Sequence, residues 1–450
     1  MRSFFASLLS RFSAHCDYLD IRHQYIETLT IACRDGRPRV RTHLERGVAA
    51  RALYKGGWGF ARCSDPAYTA SCVDAAIRQA RLLQGAPCRL APVPVLDVEH
   101  LLAAESDPRQ APLAEKVSLL QRYADMAGRY AGSGVGSALH YHERVVLSLF
   151  MDTAGSFVYQ EIPDISGALC AHARRGANRQ SASVSFGSAA SWEVVYGHDR
   201  EWLDAVRLAR SLVDAPVAGK GSLPVILAAD AAAVLLFQVV SALLHRCRAG
   251  ASLGDAVPDV PGARELHIYD SALEPSTRGF EPYDAEGVGN RPLTLLKDGR
   301  WRNCLHTRES AARSAVPPAG HARAFSYKHR PRPCLHALRV TPGNATLPDI
   351  LAGVTQGMYA FNPRYAACDG RTYTLSASGY RVHRGRLERL VRDLRLHGSV
   401  SALLQHIDGI ADAPEIVETP LWRAGGAPGG MAQSSTSPAM RISRAEAGGK

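Results

Sequence analysis

The residues best suited to chemistry lie in the second half of the chain. Asp284 and Glu286 form an acidic pair in Tyr283-Asp-Ala-Glu-Gly-Val. Two such carboxyls can divide acid and base roles between them, or fold back on their own backbone and hold a turn. Gly287, next in the chain, favours the turn, and a catalytic dyad stays open. Downstream, His321, Arg323, His329, Cys334 and His336 crowd a basic, Pro-rich stretch, and His245 and Cys247 lie together near the end of an apolar run. Imidazole and thiolate are zinc ligands. However, His329-x4-Cys334-x-His336 matches no zinc spacing, and no glutamate stands beside it to act as a base. A packed or surface set of side chains is the favoured reading, and no metal site is assigned. No Gly-x-Ser-x-Gly elbow or Cys/His nucleophile signature occurs. Gly56-Gly57-x-Gly59 reads as a turn, since no helix follows it directly to receive a phosphate. Asp17 and Asp20 read as structural.

These side chains need elements to hold them, and periodicity supplies a sketch of three units at 14–86, 113–216 and 222–450. In the first, Ile21, Tyr25, Leu29 and Ile31 suggest a strand, Asp35-Gly36 a hairpin turn, and Val48–Leu53 and the segment after Gly57 further strands. Asp65-Pro66 then opens a helix that stops at Gly85. Residues 86–112 are Pro-rich and read as an irregular linker. The second unit begins with a helix from Leu113 to about Tyr130, continues with antiparallel strands at 140–151, 155–159 and 166–173, and closes with a helix at 202–213. Pro216–Gly221 is a short linker. The third unit opens with a buried strand at Pro224, then a long, mostly apolar helix at 229–248, then many short strands. Arg381–Arg395, with Leu387, Leu390, Val391 and Leu394, has helical spacing and reads as a solvated helix. Pro438–Ser443 reads as a strand. The fold class is α+β: mixed α/β domains followed by a β-rich C-terminal domain with a long buried helix.

The chain has 450 residues, with 46% hydrophobic and 21% charged residues, the balance of a soluble globular protein. No stretch is apolar and long enough to span a bilayer, and the first eleven residues, broken by Arg11, read as an amphipathic lead-in helix. Ten cysteines without paired spacing suggest a reducing cytoplasm. The net charge of +11 is spread among acidic residues, which argues against a nucleic-acid groove, although it would draw in acidic partners or peptides.

In its order of segments the chain resembles the TldD/PmbA family of zinc metalloproteases from about Asp17 to Ile442. The resemblance is carried by Asp17-Tyr-Leu-Asp-Ile-Arg, Arg46-Gly-Val-Ala-Ala-Arg, Gly57-Trp-Gly-Phe-Ala and Ala215-Pro-Val-Ala-Gly. Its most specific stretch runs through Tyr283-Asp-Ala-Glu-Gly-Val, Leu295-Leu-Lys-Asp-Gly-Arg, His306-Thr-Arg-Glu-Ser-Ala and Gly320-His-Ala-Arg. In catalytic members the long helix carries His-Glu-x-x-x-His, and a C-terminal cysteine completes the zinc site. Matched onto Ala233-Val-Leu-Leu, those positions hold Phe237, Gln238 and Ala242. The C-terminal motif has become Trp422-Arg-Ala-Gly-Gly-Ala-Pro-Gly-Gly-Met, with no cysteine after Cys368.

Phenylalanine and alanine offer a metal no lone pair, and glutamine cannot take a proton from water near neutral pH. The resemblance therefore implies a subunit without zinc of its own, its vacated pocket packed shut by apolar side chains. It would pair as a heterodimer with a zinc-bearing TldD-like relative and share an extended, unfolded peptide substrate with it. Removal of the leader from a peptide natural-product precursor is one such task. His321, Arg323, Asp284 and Glu286 are the positions expected near the substrate. Two other readings stay open: an independent metallohydrolase with a relocated metal site, and a basic gyrase- or nucleic-acid-associated regulator.

Overall fold

The computed structural model describes residues 1–131, 134–248, 264–418 and 433–449. It opens with helix α1 (Arg2–Phe12), which buries Phe5, Leu8 and Leu9 against the first sheet. Strand β1 (Tyr18–Arg34) turns through Asp35-Gly36 into β2 (Arg37–Tyr54), which turns through Lys55-Gly56 into β3 (Gly57–Cys63). Both residues of each turn have positive φ, at 48° and 78° for the first and 43° and 81° for the second. That geometry matches the right-handed twist of the flanking strands, and glycine at the second position accepts it without strain. Asp65 caps a short 3-10 turn, and α2 (Thr69–Leu82) follows, packing Cys72, Val73, Ala76 and Ile77 onto the sheet.

The segment expected to be an irregular linker contributes a strand. Here β4 (Asp97–His100) runs parallel to a partner contributed by the next unit. After α3 (Leu113–Ala131) come β5 (Val135–Asp152), β6 (Phe157–Arg175) and β7 (Asn178–Ser188), then α4 (Asp199–Asp214). The strands expected separately at 155–159 and 166–173 are one continuous β6. Among the described residues these strands form a single seven-stranded sheet in the order β3-β2-β1-β5-β6-β4, with β7 also on β6. Strand β1 pairs along almost its whole length with β2 on one edge and β5 on the other, so the first two units share a sheet. Helices α3 and α4 cover the far half of it around Tyr123, Leu139, Leu169 and Trp202.

The third unit starts with β8 (Gly221–Leu227) and α5 (Ala229–Arg248). Its remaining strands are β9 (Ile268–Asp270), β10 (Leu293–Lys297), β11 (Arg300–Trp301), β12 (Ala322–Arg323), β13 (Arg332–Pro333), β14 (Ala337–Val340), β15 (Gln356–Cys368), β16 (Thr372–His383), β17 (Arg386–Ser399), β18 (Ile407–Glu418) and β19 (Ser434–Gly448). Strands β8, β15, β16, β17 and β19 pair in a closed ring, since β19 returns to β8. Helix α5 packs Leu235, Leu236, Val239, Val240, Leu243 and Leu244 into the core of this unit.

Arg381–Arg395 is not a helix. It spans the β16–β17 hairpin, which turns at Arg384-Gly385 with φ of 48° and 75°. The misleading pattern has a local cause. Between the pairs Ala377↔Leu394 and Gly379↔Val391, one residue of β16 faces two of β17, Arg392 and Asp393, and Asp393 has φ 56°. This bulge puts Val391 and Leu394 on the same inward face three residues apart, a spacing that imitates a helical turn.

Candidate functional site

Helix α5 holds the positions that matched the family's zinc motif. Asp230 fixes its start: one carboxylate oxygen accepts the Ala231 N–H at 2.7 Å and the other the Asn362 N–H at 2.8 Å. Phe237, Gln238 and Ala242 lie on the half-buried side of the helix, while the leucines and valines beside them are fully buried. Phe237 packs against the core of the third unit, but the face is not closed along its whole length. Gln238 and Val234 line a cleft between the second and third units, opposite Ser183 and Ser185 of β7 and beside Glu415 and Glu418 of β18. No side chain at 237, 238 or 242 can supply the imidazoles or the carboxylate of a hydrolytic zinc site, so the family's zinc does not fit here. The Trp422–Met431 motif lies outside the described residues, as does the side chain of Cys247, and His245 is exposed.

Glu418 gives the cleft a titratable floor. It is 5% exposed, accepts the Ser434 hydroxyl, and its carboxyl is pushed up to about 7 by burial, against the pull of Arg278. A carboxyl whose folded pKa exceeds its unfolded value of 4.5 favours folding at low pH. That contribution is lost as pH rises through about 7. Glu418→Gln is therefore expected to match the wild type in stability near pH 4.5 and to exceed it by up to about 3 kcal/mol near pH 8. Urea titrations at the two pH values measure this, and equal differences at both would contradict it.

The acidic pair has a different setting. One oxygen of Asp284 accepts the backbone N–H of Glu286 at 2.8 Å and of Val288 at 3.0 Å, and the other accepts Ala322 N–H at 2.9 Å. It holds the turn at Gly287 and ties it to the loop of His321. Burial, and then the neighbouring Glu286, push the Asp284 carboxyl up to about 7, against three donors that favour the charged form. Glu286 reaches away from it. It accepts Arg51 Nη1 at 2.8 Å and Arg308 N–H at 2.7 Å, and Arg51 also clamps Asp20 at 2.7 Å. Arg308 extends the network to the Tyr18 hydroxyl at 3.3 Å and Asp152 at 3.5 Å. The pair thus fastens the third unit to β1 and β2 of the first. Asp284 and Glu286 are 3% and 2% exposed and present no open surface to a substrate.

The histidine cluster divides. His329 is exposed and Cys334 half-buried, whereas His321 and His336 come together in the interior with Asp270, at the end of β9. His321 Nε2 stands 3.0 Å, and His336 Nδ1 3.4 Å, from the same Asp270 oxygen. The Asp270 carboxylate also accepts the His336 backbone N–H. Despite those short approaches, neither ring nitrogen of His321, nor Nδ1 of His336, has a partner aligned for a hydrogen bond. His336 Nε2 faces Glu281 at 3.2 Å, and Glu281 is gripped by Arg323 Nε at 2.8 Å. Burial alone would raise the Glu281 carboxyl, but Arg323 and then His336 hold it at about 2. Burial in turn lowers His321, favouring its neutral form.

Asp270 is the residue that sequence reasoning missed. The alternation Leu266, Ile268, Asp270 was a usable signal, because a carboxylate at an inward strand position needs a partner.

The chain as a whole has relatives among known proteins. The PmbA/TldA metallopeptidase models match the chain in three successive parts: domain 1 at residues 19–83, the central domain at 106–218 and the C-terminal domain at 220–449. Together they cover most of the chain and define its class as a metallopeptidase scaffold. The chain belongs to the TldD/PmbA family. A metalloprotease of Synechocystis is 27% identical over 98% of this chain and 97% of its own length. A TldD homolog of Haemophilus influenzae is 26% identical over 89% and 86% respectively. The fold is shared with TldE from Thermococcus kodakarensis, at 15% identity and a TM-score of 0.80 over 99% and 100% of the two chains.

Proposed function

We propose that this chain is the non-catalytic subunit of a TldD/TldE-type metallopeptidase acting on unfolded peptides, precursors whose leader is removed included. The observation that carries the reading is α5: matched to the family's His-Glu-x-x-x-His helix, it has Phe237 and Ala242 at the two histidine positions and Gln238 at the base. The hydrolytic zinc then belongs to a TldD-like partner in a cytoplasmic heterodimer. Cys16, Cys33, Cys63, Cys72, Cys88, Cys334 and Cys368 are unbridged thiols, in keeping with a reducing compartment. No helix among the described residues is long and apolar enough to cross a membrane.

The cleft beside Gln238 supports a role in peptide binding. Its rim exposes Tyr365 and Ile416, at 52% and 50%. Strand β18 pairs with β19 on one edge; its other edge is bridged to Ala345 at Ala411 and takes the Ser185 hydroxyl at the Glu418 carbonyl, with the cleft-lining Glu415–Val417 between those two contacts. An extended peptide can add to such an edge by main-chain hydrogen bonds, with apolar side chains setting preference.

Co-expression with a family member that retains His-Glu-x-x-x-His and a C-terminal cysteine tests the proposal. The expected product is a 1:1 complex on size-exclusion chromatography that cleaves unstructured peptides. Its activity disappears when the partner's glutamate becomes glutamine, and it survives Gln238→Ala in this chain. Peptide hydrolysis by the purified chain alone, or a partner whose activity is indifferent to this chain, would overturn the reading.

A further inference from the structure

We propose that Asp270, His321 and His336 form a buried binding site for one divalent transition-metal ion of the zinc class, built into the third unit away from α5. Asp270, His321 and His336 each bring one ligand atom within 4.8 Å of those of the other two, and Asp270 Oδ2 is approached by His321 Nε2 and His336 Nδ1. Zinc held at about 2.0 Å by nitrogen and oxygen places its ligands about 3.3 Å apart along the edges of a tetrahedron. The two nitrogen-to-oxygen separations here are 3.0 and 3.4 Å.

Hydrogen-bond accounting points the same way. A neutral imidazole carries one N–H and one lone pair, and leaving either unmatched in the interior is costly. His321 is 1% exposed, with Nδ1 unmatched and Nε2 close to Asp270 but poorly aligned to it, and His336 is 0% exposed with Nδ1 in the same position toward Asp270. Glu281, facing His336 Nε2, can only accept, so Nε2 carries a proton and Nδ1 faces Asp270 either as a second N–H or as a lone pair open to a cation. As a lone pair 3.4 Å from the carboxylate oxygen, Nδ1 would be relieved by a cation bound between the two. Glu281 then plays the part of the carboxylate that orients a metal-bound histidine through its far nitrogen, and Arg323 holds Glu281 in place.

Two imidazoles and one carboxylate suit zinc, cobalt, nickel or iron better than magnesium or calcium, which take mostly oxygen ligands. Full burial closes the site to substrate, so its role is to pin β9, the loop before β12 and the loop after β13 to one another. This departs from the expectation of a metal-free chain, but it leaves the subunit proposal intact.

The test is metal content after purification in zinc-supplemented medium and exhaustive dialysis, with cobalt(II) substitution as a second readout. One zinc per chain is expected, together with visible absorption bands of low-coordinate cobalt and a lower melting temperature after treatment with 1,10-phenanthroline. Asp270→Asn and His321→Gln should each abolish stoichiometric binding. Should a variant fail to fold, the chelator effect on the wild type still decides. A wild-type chain with far less than one ion and no chelator effect overturns the site, as does unchanged binding in both variants. Metal content decides this inference and peptide hydrolysis by the chain alone decides the subunit reading, so the two can fail separately.

Discussion

Arg51→Ala is expected to lower the stability of the chain by about 3–5 kcal/mol, the range for breaking a buried ion pair from one side. Arg51 lies on β2 and is 8% exposed, and its guanidinium is the cation between Asp20 on β1 and Glu286 of the third unit. Removing it takes the shared guanidinium from two carboxylates, each at most 2% exposed, and leaves Glu286 with the Arg308 N–H. Arg51→Lys should recover only part of the loss, since a single ammonium cannot satisfy a fork that serves Asp20 through Nε and Nη2 and Glu286 through Nη1. The urea midpoint reports the effect. A midpoint within error of wild type for Arg51→Ala would show that the junction does not depend on this charge.

Trp202→Ala should cost a similar amount, about 3–5 kcal/mol, by a different route. Trp202 is fully buried on α4, and its Nε1 donates to the Tyr123 carbonyl of α3 at 2.8 Å. Tyr123 passes the connection on through its hydroxyl to the Val195 carbonyl at 3.0 Å. Deleting the indole opens a cavity in the cluster that holds Tyr123, Leu169 and Phe186 and removes a second donor from a carbonyl that keeps its helical N–H. Trp202→Phe refills most of the space and loses only the indole hydrogen bond, for a loss nearer about 0.5–1.5 kcal/mol. Calorimetry on the three proteins separates the terms, and equal losses for alanine and phenylalanine would assign the effect to the hydrogen bond alone.

What the sequence made legible was local. Asp35-Gly36 announced its hairpin because two positive φ values in a row leave few residue choices, and the apolar run of α5 announced a buried helix. The Arg381–Arg395 misreading came from a bulge, a feature of the pairing between two strands that one strand's spacing does not show. Long-range chemistry was hidden for a related reason. Arg51 and Glu286 are 235 positions apart, and each alone looks like an ordinary surface charge. His321 and His336 drew notice as a pair of imidazoles, but Asp270, which gives them a common focus, sits far upstream and is marked only by its inward place in the Leu266, Ile268 alternation. The open cleft at Gln238 was equally hidden, because which side of α5 stays uncovered depends on β7 and β18, elements from two different units.

The double pairing of β1 carries a consequence for the making of the protein. Tyr18 and Asp152, which meet in the shared sheet, are separated by 134 positions. At about 5–20 residues per second, a ribosome needs on the order of ten seconds to deliver β5 after β1 has emerged. Through that interval the nascent β1–β2 hairpin stands with one edge unclosed, available to a neighbouring chain. The exposed Arg37, Arg39, Arg41 and Arg46 sit on that hairpin. Like charges on two such hairpins repel, so part of the chain's basic excess serves to keep newly made copies apart until β5 arrives.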